Sequence, residues 1–243
     1  MTSLPDGFHT VDIGNSTVGV GHWCEDKVTV KVFGEPAEAA ASCHGPMAFV
    51  SVSTAGSDAF LAHLPPSAIS SARALTQCCV PTVDSDLAET AGADRIALVT
   101  AVLPGPAVCV DLGTAVTVDL VSHEGVYQGG FIAPGPNIAA EGLSRGADSL
   151  PHVPPSAVPV KPGVTTVPAI ESGVWGLMVG GVDYLVEIAK EQLGDPEPKI
   201  VSTGGWGASW AKASHHAGIE VNPHLIHYGI REWAIRTWEP IES

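Results

Sequence analysis

Apolar, β-branched runs and polar turns alternate with short spacing near the start of the chain, as strands of a sheet do. Runs at 9–13, 18–23 and 27–33 are rich in β-branched residues, and Gly14-Asn15 and a charged stretch separate them. That pattern predicts an opening meander of three strands. A fourth strand is expected at 48–52. Helical spacing then takes over at 57–64 and 69–78. A longer helix is expected over 87–103, stopped by Pro104-Gly105-Pro106.

After that breaker the pattern starts again. Strands are predicted at 107–110, 115–121 and 126–132, then a helix over 137–146. Residues 151–163 carry Pro151, Pro154, Pro155, Pro159 and Pro162 and read as an extended connection. A long apolar helix is expected over 166–193 and a strand over 199–202. Helices over 208–216 and 223–237 follow.

The two halves begin alike. Val11-Asp12-Ile13-Gly14-Asn15-Ser16 is matched 99 residues further on by Val110-Asp111-Leu112-Gly113-Thr114-Ala115. Each is an apolar strand running into Asp-x-Gly and a small polar residue. The expectation is a duplicated α/β unit, with halves at 1–106 and 107–243 and a cleft between them.

A strand that ends in Asp-x-Gly sets a carboxylate beside exposed backbone N–H groups, and the glycine lets a ligand come close. Asn15, Ser16, Thr17 and Thr114 add neutral hydrogen-bond groups. This set suits a polyphosphate: amides and hydroxyls hold the oxygens, while Asp12 and Asp111 hold a cation or its waters. Without a cation the carboxylates would repel the phosphates. Either aspartate alone reads first as a turn cap. The pair in equivalent places favours a ligand. Ser202-Thr203-Gly204-Gly205, after a third strand, is a further loop for a nucleotide or an ordinary glycine turn. No G-x-x-x-x-G-K-[ST] pattern occurs, so the chain is not a P-loop protein.

Gly92-Ala93-Asp94-Arg95 lies on the helix before the breaker. Its acid–base pair reads either as a solvated helix pair or as chemistry. In the second case Asp94 takes a proton from a substrate hydroxyl, and Arg95 holds a substrate carboxylate. His224 and His227 share a helix face but lack a third metal ligand. Gly180-Gly181 suits a close helix–helix contact, and the tryptophans at 175, 206, 210, 233 and 238 suit core or interface.

Charge narrows the partners. Eleven basic residues against 26 acidic ones give a net −15. Such a surface repels nucleic acid and anionic membranes. With 45% hydrophobic and 15% charged residues, disorder is excluded. The first basic residue is Lys27, and the longest uncharged apolar run, 96–110, is broken by two prolines. Neither a leader nor a membrane span is expected. Cys24, Cys43, Cys78, Cys79 and Cys109 are odd in number and form no Cys-x-x-Cys pair, which suits a reduced, cytoplasmic protein.

Six motifs, in order, resemble those of type III pantothenate kinases, members of the acetate and sugar kinase/heat-shock/actin superfamily. Asp12-Ile13-Gly14-Asn15-Ser16 is similar to the family's first phosphate motif, and Gly92-Ala93-Asp94-Arg95 to its G-x-D-R. Asp111-Leu112-Gly113-Thr114-Ala115, with Thr117 and Asp119, resembles the second phosphate motif. Gly129-Gly130-Phe131-Ile132-Ala133-Pro134-Gly135 resembles G-G-x-I-x-P-G, and Leu150-Pro151 the following L-P. Thr166-Val167-Pro168-Ala169-Ile170-Glu171-Ser172-Gly173 resembles T-x-x-A-I-x-S-G.

The resemblance implies duplicated actin-like (ribonuclease H-like) domains, each a mixed sheet flanked by helices. It implies transfer of the ATP γ-phosphate to the 4′-hydroxyl of pantothenate, the first step of coenzyme A biosynthesis. Asp94 would be the general base. Gly92, Ala93, Asp94, Arg95 and Thr166 would bind pantothenate. Asp12, Ile13, Gly14, Asn15, Ser16, Thr17, Val18 and Gly19, with Thr114, would bind ATP. Mg2+ would accompany ATP, and Asp111 would hold a monovalent cation, K+ or NH4+. The site would lie at a homodimer interface.

The chain departs from the family pattern at four places. Ser85 stands where a tyrosine is usual, and Ala88 where Asn-Pro ends. Gly19 replaces a frequent basic residue, and Trp206 replaces the aspartate of T-G-G-D. Two alternatives therefore stand beside pantothenate kinase: a kinase of the same fold with another hydroxyl acceptor, and a non-catalytic nucleotide-binding regulator.

Overall fold

The computed structural model describes residues 4–75 and 90–237. The chain divides into two compact units, one of Met1–Leu103 with His224–Ser243 and one of Pro104–Pro223.

In the first unit, β1 (His9–Ile13), β2 (Val18–Cys24) and β3 (Lys27–Phe33) form the predicted meander. Cys24 pairs with Lys27 across a two-residue turn, where Glu25 takes φ 54°. Lys27 and Lys31 mark β3 as an edge strand, the usual protection against further pairing. α1 (Pro36–Ala41) precedes β4 (Met47–Ser51), which pairs parallel to β1. α2 (Thr54–Ala62) follows, its first turn capped by Ser53, whose Oγ accepts the Gly56 N–H at 3.1 Å. After α3 (Pro66–Ile69), β5 (Ala72–Ala74) pairs parallel to β4. α4 (Ala93–Ala101) ends this stretch. The sheet order is β3-β2-β1-β4-β5. Val11, Ile13, Val18, Val20, Met47 and Phe49 meet Ala39, Ala40, Phe60 and Leu64 in the core.

In the second unit, β6 (Ala107–Leu112), β7 (Ala115–Val121) and β8 (Tyr127–Pro134) form a second antiparallel meander. α5 (Pro136–Gly146) and α6 (Thr166–Leu193) follow. Gly194 ends α6 in the left-handed conformation at φ 64°, and its N–H returns to the Glu191 carbonyl. β9 (Lys199–Thr203) pairs parallel to β6, α7 (Gly207–Ala213) follows, and β10 (Glu220–Val221) pairs parallel to β9. The order is β10-β9-β6-β7-β8. β6 and β7 send Val108, Val110, Val116 and Val118 into a core closed by Trp175, Met178, Val182, Val186 and Trp210. The Pro-rich connection is tied to α6 by Ser172, whose Oγ accepts the Lys161 N–H at 2.7 Å and donates to the Lys161 carbonyl at 2.6 Å.

Three expectations are corrected. No helix runs from 69 into 75: α3 stops at Ile69, and Ala72–Ala74 is a strand. The open edge of β4 offers hydrogen-bond partners that short residues can take, and sheet pairing wins over local helix preference. The region 223–237 is helical, as α8 (Leu225–Thr237), but it packs with the first unit rather than with 107–223. Gly229 makes this possible, because a Cβ there would fall on the Ala97 carbonyl of α4. The apolar stripe predicts that α8 buries a face, not which sheet receives it. The first unit also ends three residues earlier than the expected boundary at 106.

Ser85, Ala88, Cys78, Cys79, Trp238 and the first residues of the helix expected over 87–103 lie outside the described residues. Among the described residues, no helix is long and apolar enough to cross a membrane.

Candidate functional site

In the first unit, Asp12 is the penultimate residue of β1, half-buried and paired with Gly19 of β2. Ile13 and Val18 close the strand pair, and Gly14–Thr17 form the loop. The Gly14 N–H donates to the Thr17 carbonyl at 3.0 Å. Asn15, Ser16 and Thr17 are exposed. Val18 and Gly19 are not: both lie buried in β2. The stretch expected to bind ATP thus divides into a presented turn, Gly14–Thr17, and four strand positions, Asp12 and Ile13 in β1 and Val18 and Gly19 in β2.

The next motif is close by. The Val52 N–H extends from the end of β4 to the Ile13 carbonyl at 3.1 Å. Val52 Cγ1 would lie 3.8 Å from a Cβ on Gly92, at the start of α4. That Cβ would also overlap the Asp94 carboxylate, so only glycine leaves it room. Asp94 sits in the first helical turn, and its Oδ1 accepts the Arg95 N–H at 2.8 Å. Ala93 and Arg95 are half-buried beside it. The turn at 14–17 and the motif at 92–95 therefore share one end of the first sheet.

The second unit repeats the arrangement. Asp111 is the penultimate residue of β6, half-buried, paired with Thr117 of β7 and Thr203 of β9. The Gly113 N–H donates to the Ala115 carbonyl at 3.0 Å, and Thr114 is exposed at the tip. Two other glycine motifs pack on this turn. The Gly135 N–H donates to the Thr114 carbonyl at 3.1 Å, and a Cβ on Gly135 would overlap the Gly113 and Thr114 carbonyls. Gly204, at φ +82°, is pressed against the Asp111 carboxylate, and its Cβ would stand 2.6 Å from the Leu112 carbonyl. The Trp206 N–H then donates to Leu112 O at 3.0 Å, and its ring lies 5.8 Å from that of Trp175. Thr166 is exposed at the start of α6, near a cavity of about 420 Å3 lined by Val158, Pro162, Thr165, Pro168 and Ser172. The expected residues are thus divided: 12–19 and 92–95 in the first unit, Asp111, Thr114 and Thr166 in the second.

Sequence reading undervalued His227. Its Nδ1 lies 3.0 Å from Thr10 Oγ1, which also accepts the Trp23 indole N–H at 3.0 Å. Its ring covers Gly19 and Gly21: a Cβ on Gly19 would be 3.1 Å from His227 Nε2 and 3.9 Å from Asp12 Cβ. Burial, reinforced by His224, holds its pKa at about 4, so the ring is neutral at neutral pH. Glycines two apart in β2 were the available signal, since they bare one face of the strand.

A family model for type III pantothenate kinases matches residues 10–188. The chain belongs to the type III pantothenate kinase family. The matched stretch holds every residue of both turns, the 92–95 motif and Thr166. A type III pantothenate kinase of Rhodospirillum rubrum is 39% identical over 128 residues, 51% of this chain and 49% of that protein. The chain thus spans about half the length of this family relative. Among solved structures, a Campylobacter jejuni protein described as a Baf family transcriptional activator superposes with a TM-score of 0.64 at 22% identity, over 93% of this chain and 96% of that one. An archaeal actin homologue superposes with a TM-score of 0.52 at 12% identity, over 95% and 99%. At those identities the likeness concerns fold: this family member has the actin-like architecture of two mixed sheets flanked by helices.

Proposed function

We propose that this member of the type III pantothenate kinase family phosphorylates the 4′-hydroxyl of pantothenate with ATP, the first step of coenzyme A biosynthesis, in the cytoplasm. The observation that carries the reading is the pair of Asp-x-Gly turns, each at the same strand end of its own sheet. The donor set fits the nucleotide: Asn15, Ser16, Thr17 and Thr114 are exposed donors for phosphate oxygens, and Asp12 and Asp111 are hard oxygen ligands for a cation. When bound, Mg2+ neutralises charge on the phosphates and leaves the protein to position and orient.

The remaining roles follow from chemistry. Asp94, oriented by the Arg95 N–H, accepts the proton of the pantothenate hydroxyl. The Arg95 guanidinium pairs with the pantothenate carboxylate. Gly92 leaves the Asp94 carboxylate its space, and Ala93 and Thr166 complete the substrate contacts. Asp111 holds K+ or NH4+. A second copy of this chain covers α6, where Leu177 and Tyr184 are exposed at 80% and 65% and nothing among the described residues meets a Cβ at Gly180 or Gly181.

The test is ADP release by the full chain with ATP, Mg2+, K+ and pantothenate. Asp94→Asn should lower turnover on the order of 10²–10⁴-fold with an unchanged circular dichroism spectrum. Replacing K+ by Na+ should lower it too. Nucleotide binding with no turnover on pantothenate overturns the kinase reading.

A further inference from the structure

A second cluster of chemically capable side chains lies in the second unit, away from its Asp-x-Gly turn in sequence. Asp183 and Glu187 are four residues apart on α6, hence on one face. His215 and His216 follow α7 and lie against them. The Asp183 side chain is 6% exposed, and it organises the group. Its Oδ1 accepts the Trp210 indole N–H at 2.9 Å and the Ser214 hydroxyl at 2.7 Å. Its Oδ2 accepts the His215 backbone N–H at 3.2 Å and lies 2.8 Å from His215 Nδ1. The Asp183 backbone carbonyl lies 3.2 Å from His216 Nε2.

A carboxylate and a carbonyl can only accept. The ring protons therefore sit on His215 Nδ1 and His216 Nε2. That leaves His215 Nε2 and His216 Nδ1, which lie 3.7 Å and 3.3 Å from Glu187 Oε1. Two imidazole lone pairs thus approach one carboxylate oxygen. An arrangement of acceptors alone is repulsive, and a positive charge must join it. Lys190 Nζ is 3.6 Å from the same oxygen, but Glu187 is 44% exposed, and a long, solvated ion pair contributes little.

The two separations from Glu187 Oε1, 3.7 Å and 3.3 Å, are near those between ligands of one metal ion. Ligands bound tetrahedrally to Zn2+ at about 2.0–2.1 Å lie roughly 3.3–3.4 Å from one another. Each ring also has an acceptor on its other nitrogen, the support that orients metal-binding histidines. Nitrogen and carboxylate donors suit zinc better than Mg2+ or Ca2+. We propose that Glu187, His215 and His216 bind one divalent transition-metal ion of the Zn2+ class, with water completing the sphere and Asp183 as a positioning residue. The ion would tie the segment after α7 to the middle of α6.

The experiment uses the untagged full chain, stripped with a chelator and titrated with Zn2+ by calorimetry and with Co2+ by visible absorption. Glu187→Gln and His215→Ala alter the more exposed side chains, so the fold should persist, as circular dichroism will show. One equivalent should bind, with the intense visible bands of low-coordinate Co2+, and each variant should weaken it at least about 10-fold. Cys24→Ser, which removes an exposed thiol, should change nothing. The absence of saturable binding overturns the proposal. Binding unchanged in both variants, or lost with Cys24→Ser, overturns it as well.

Discussion

The two sheets have the same strand order and opposite habits at the turn. In both, an Asp occupies the penultimate place of the central strand, flanked by an antiparallel neighbour and a parallel one. The first turn is open. Four residues, Gly14–Thr17, separate the paired positions, and three of them expose polar side chains. The second turn is enclosed. Only Gly113, Thr114 and Ala115 separate Leu112 from Val116, and Gly135 and Gly204 press upon it. The first half spends its close packing elsewhere, under His227, where Gly19 and Gly21 bare the strand. Duplication thus conserved the place of the carboxylate, while the surroundings of each copy diverged.

Replacing one glycine should break the comparison most strongly. Gly204→Ala puts a Cβ on the Asp111 carboxylate at a φ that alanine resists. We expect a loss of about 2–4 kcal/mol in urea unfolding. Ser51 holds the corresponding place beside Asp12, since it follows Val50 as Gly204 follows Thr203. Ser51→Ala should cost under about 1 kcal/mol. Equal costs would show that the second turn is no more enclosed than the first.

Acid should probe the first unit. The His227 pKa is held near 4 by burial, against 6.5 for a free imidazole. Between those values the unfolded chain binds more protons than the folded one, so stability rises with pH. The contribution is full above pH 6.5 and is lost as pH falls towards 4, at most about 3 kcal/mol. His9, lowered by burial and by His22, acts in the same direction. A His227→Gln variant should show a flatter fall of Tm over that window. An unaltered slope would mean that the ring is not buried in solution.

Gly21→Ala sharpens the same point. Its Cβ would stand 2.5 Å from Thr10 Oγ1 and 2.8 Å from His227 Nδ1, so a cost of about 1–3 kcal/mol is expected by thermal unfolding. Gly19→Ala, with 3.1 Å to His227 Nε2, should cost less. The reverse order would place the ring differently.

The smallest effect is expected at the rim. Arg231 lies 4.7 Å over the Trp23 ring and 2.8 Å from an Asp26 oxygen, but Asp26 is 90% exposed. Arg231→Ala should therefore cost under about 1 kcal/mol, with reduced sensitivity to salt. A larger loss would show that α8 is held by this contact rather than by its buried face.

Much of this molecule is legible from residue order alone. Apolar, β-branched runs bounded by turn residues placed β1 to β3 and β6 to β9 within a few residues, because such runs suit a buried strand. The 166–193 helix was bounded correctly, its end marked by Gly194. The repeated Asp-x-Gly announced the duplication, and the ordered motifs announced the family. Short or borrowed elements were not legible. β5 and β10 span three and two residues and exist only because a neighbouring strand offers an open edge. The return of α8 to the first unit rests on Gly229 meeting Ala97, a contact between residues far apart in the chain. For the same reason His227 was unremarkable until β2 lay beneath it, and Asp183 until Trp210, Ser214 and His215 converged on its carboxylate. Local pattern fixes what a segment can form; which distant surface it meets is decided by packing and by the need to satisfy buried polar groups, and those exist only in the folded chain.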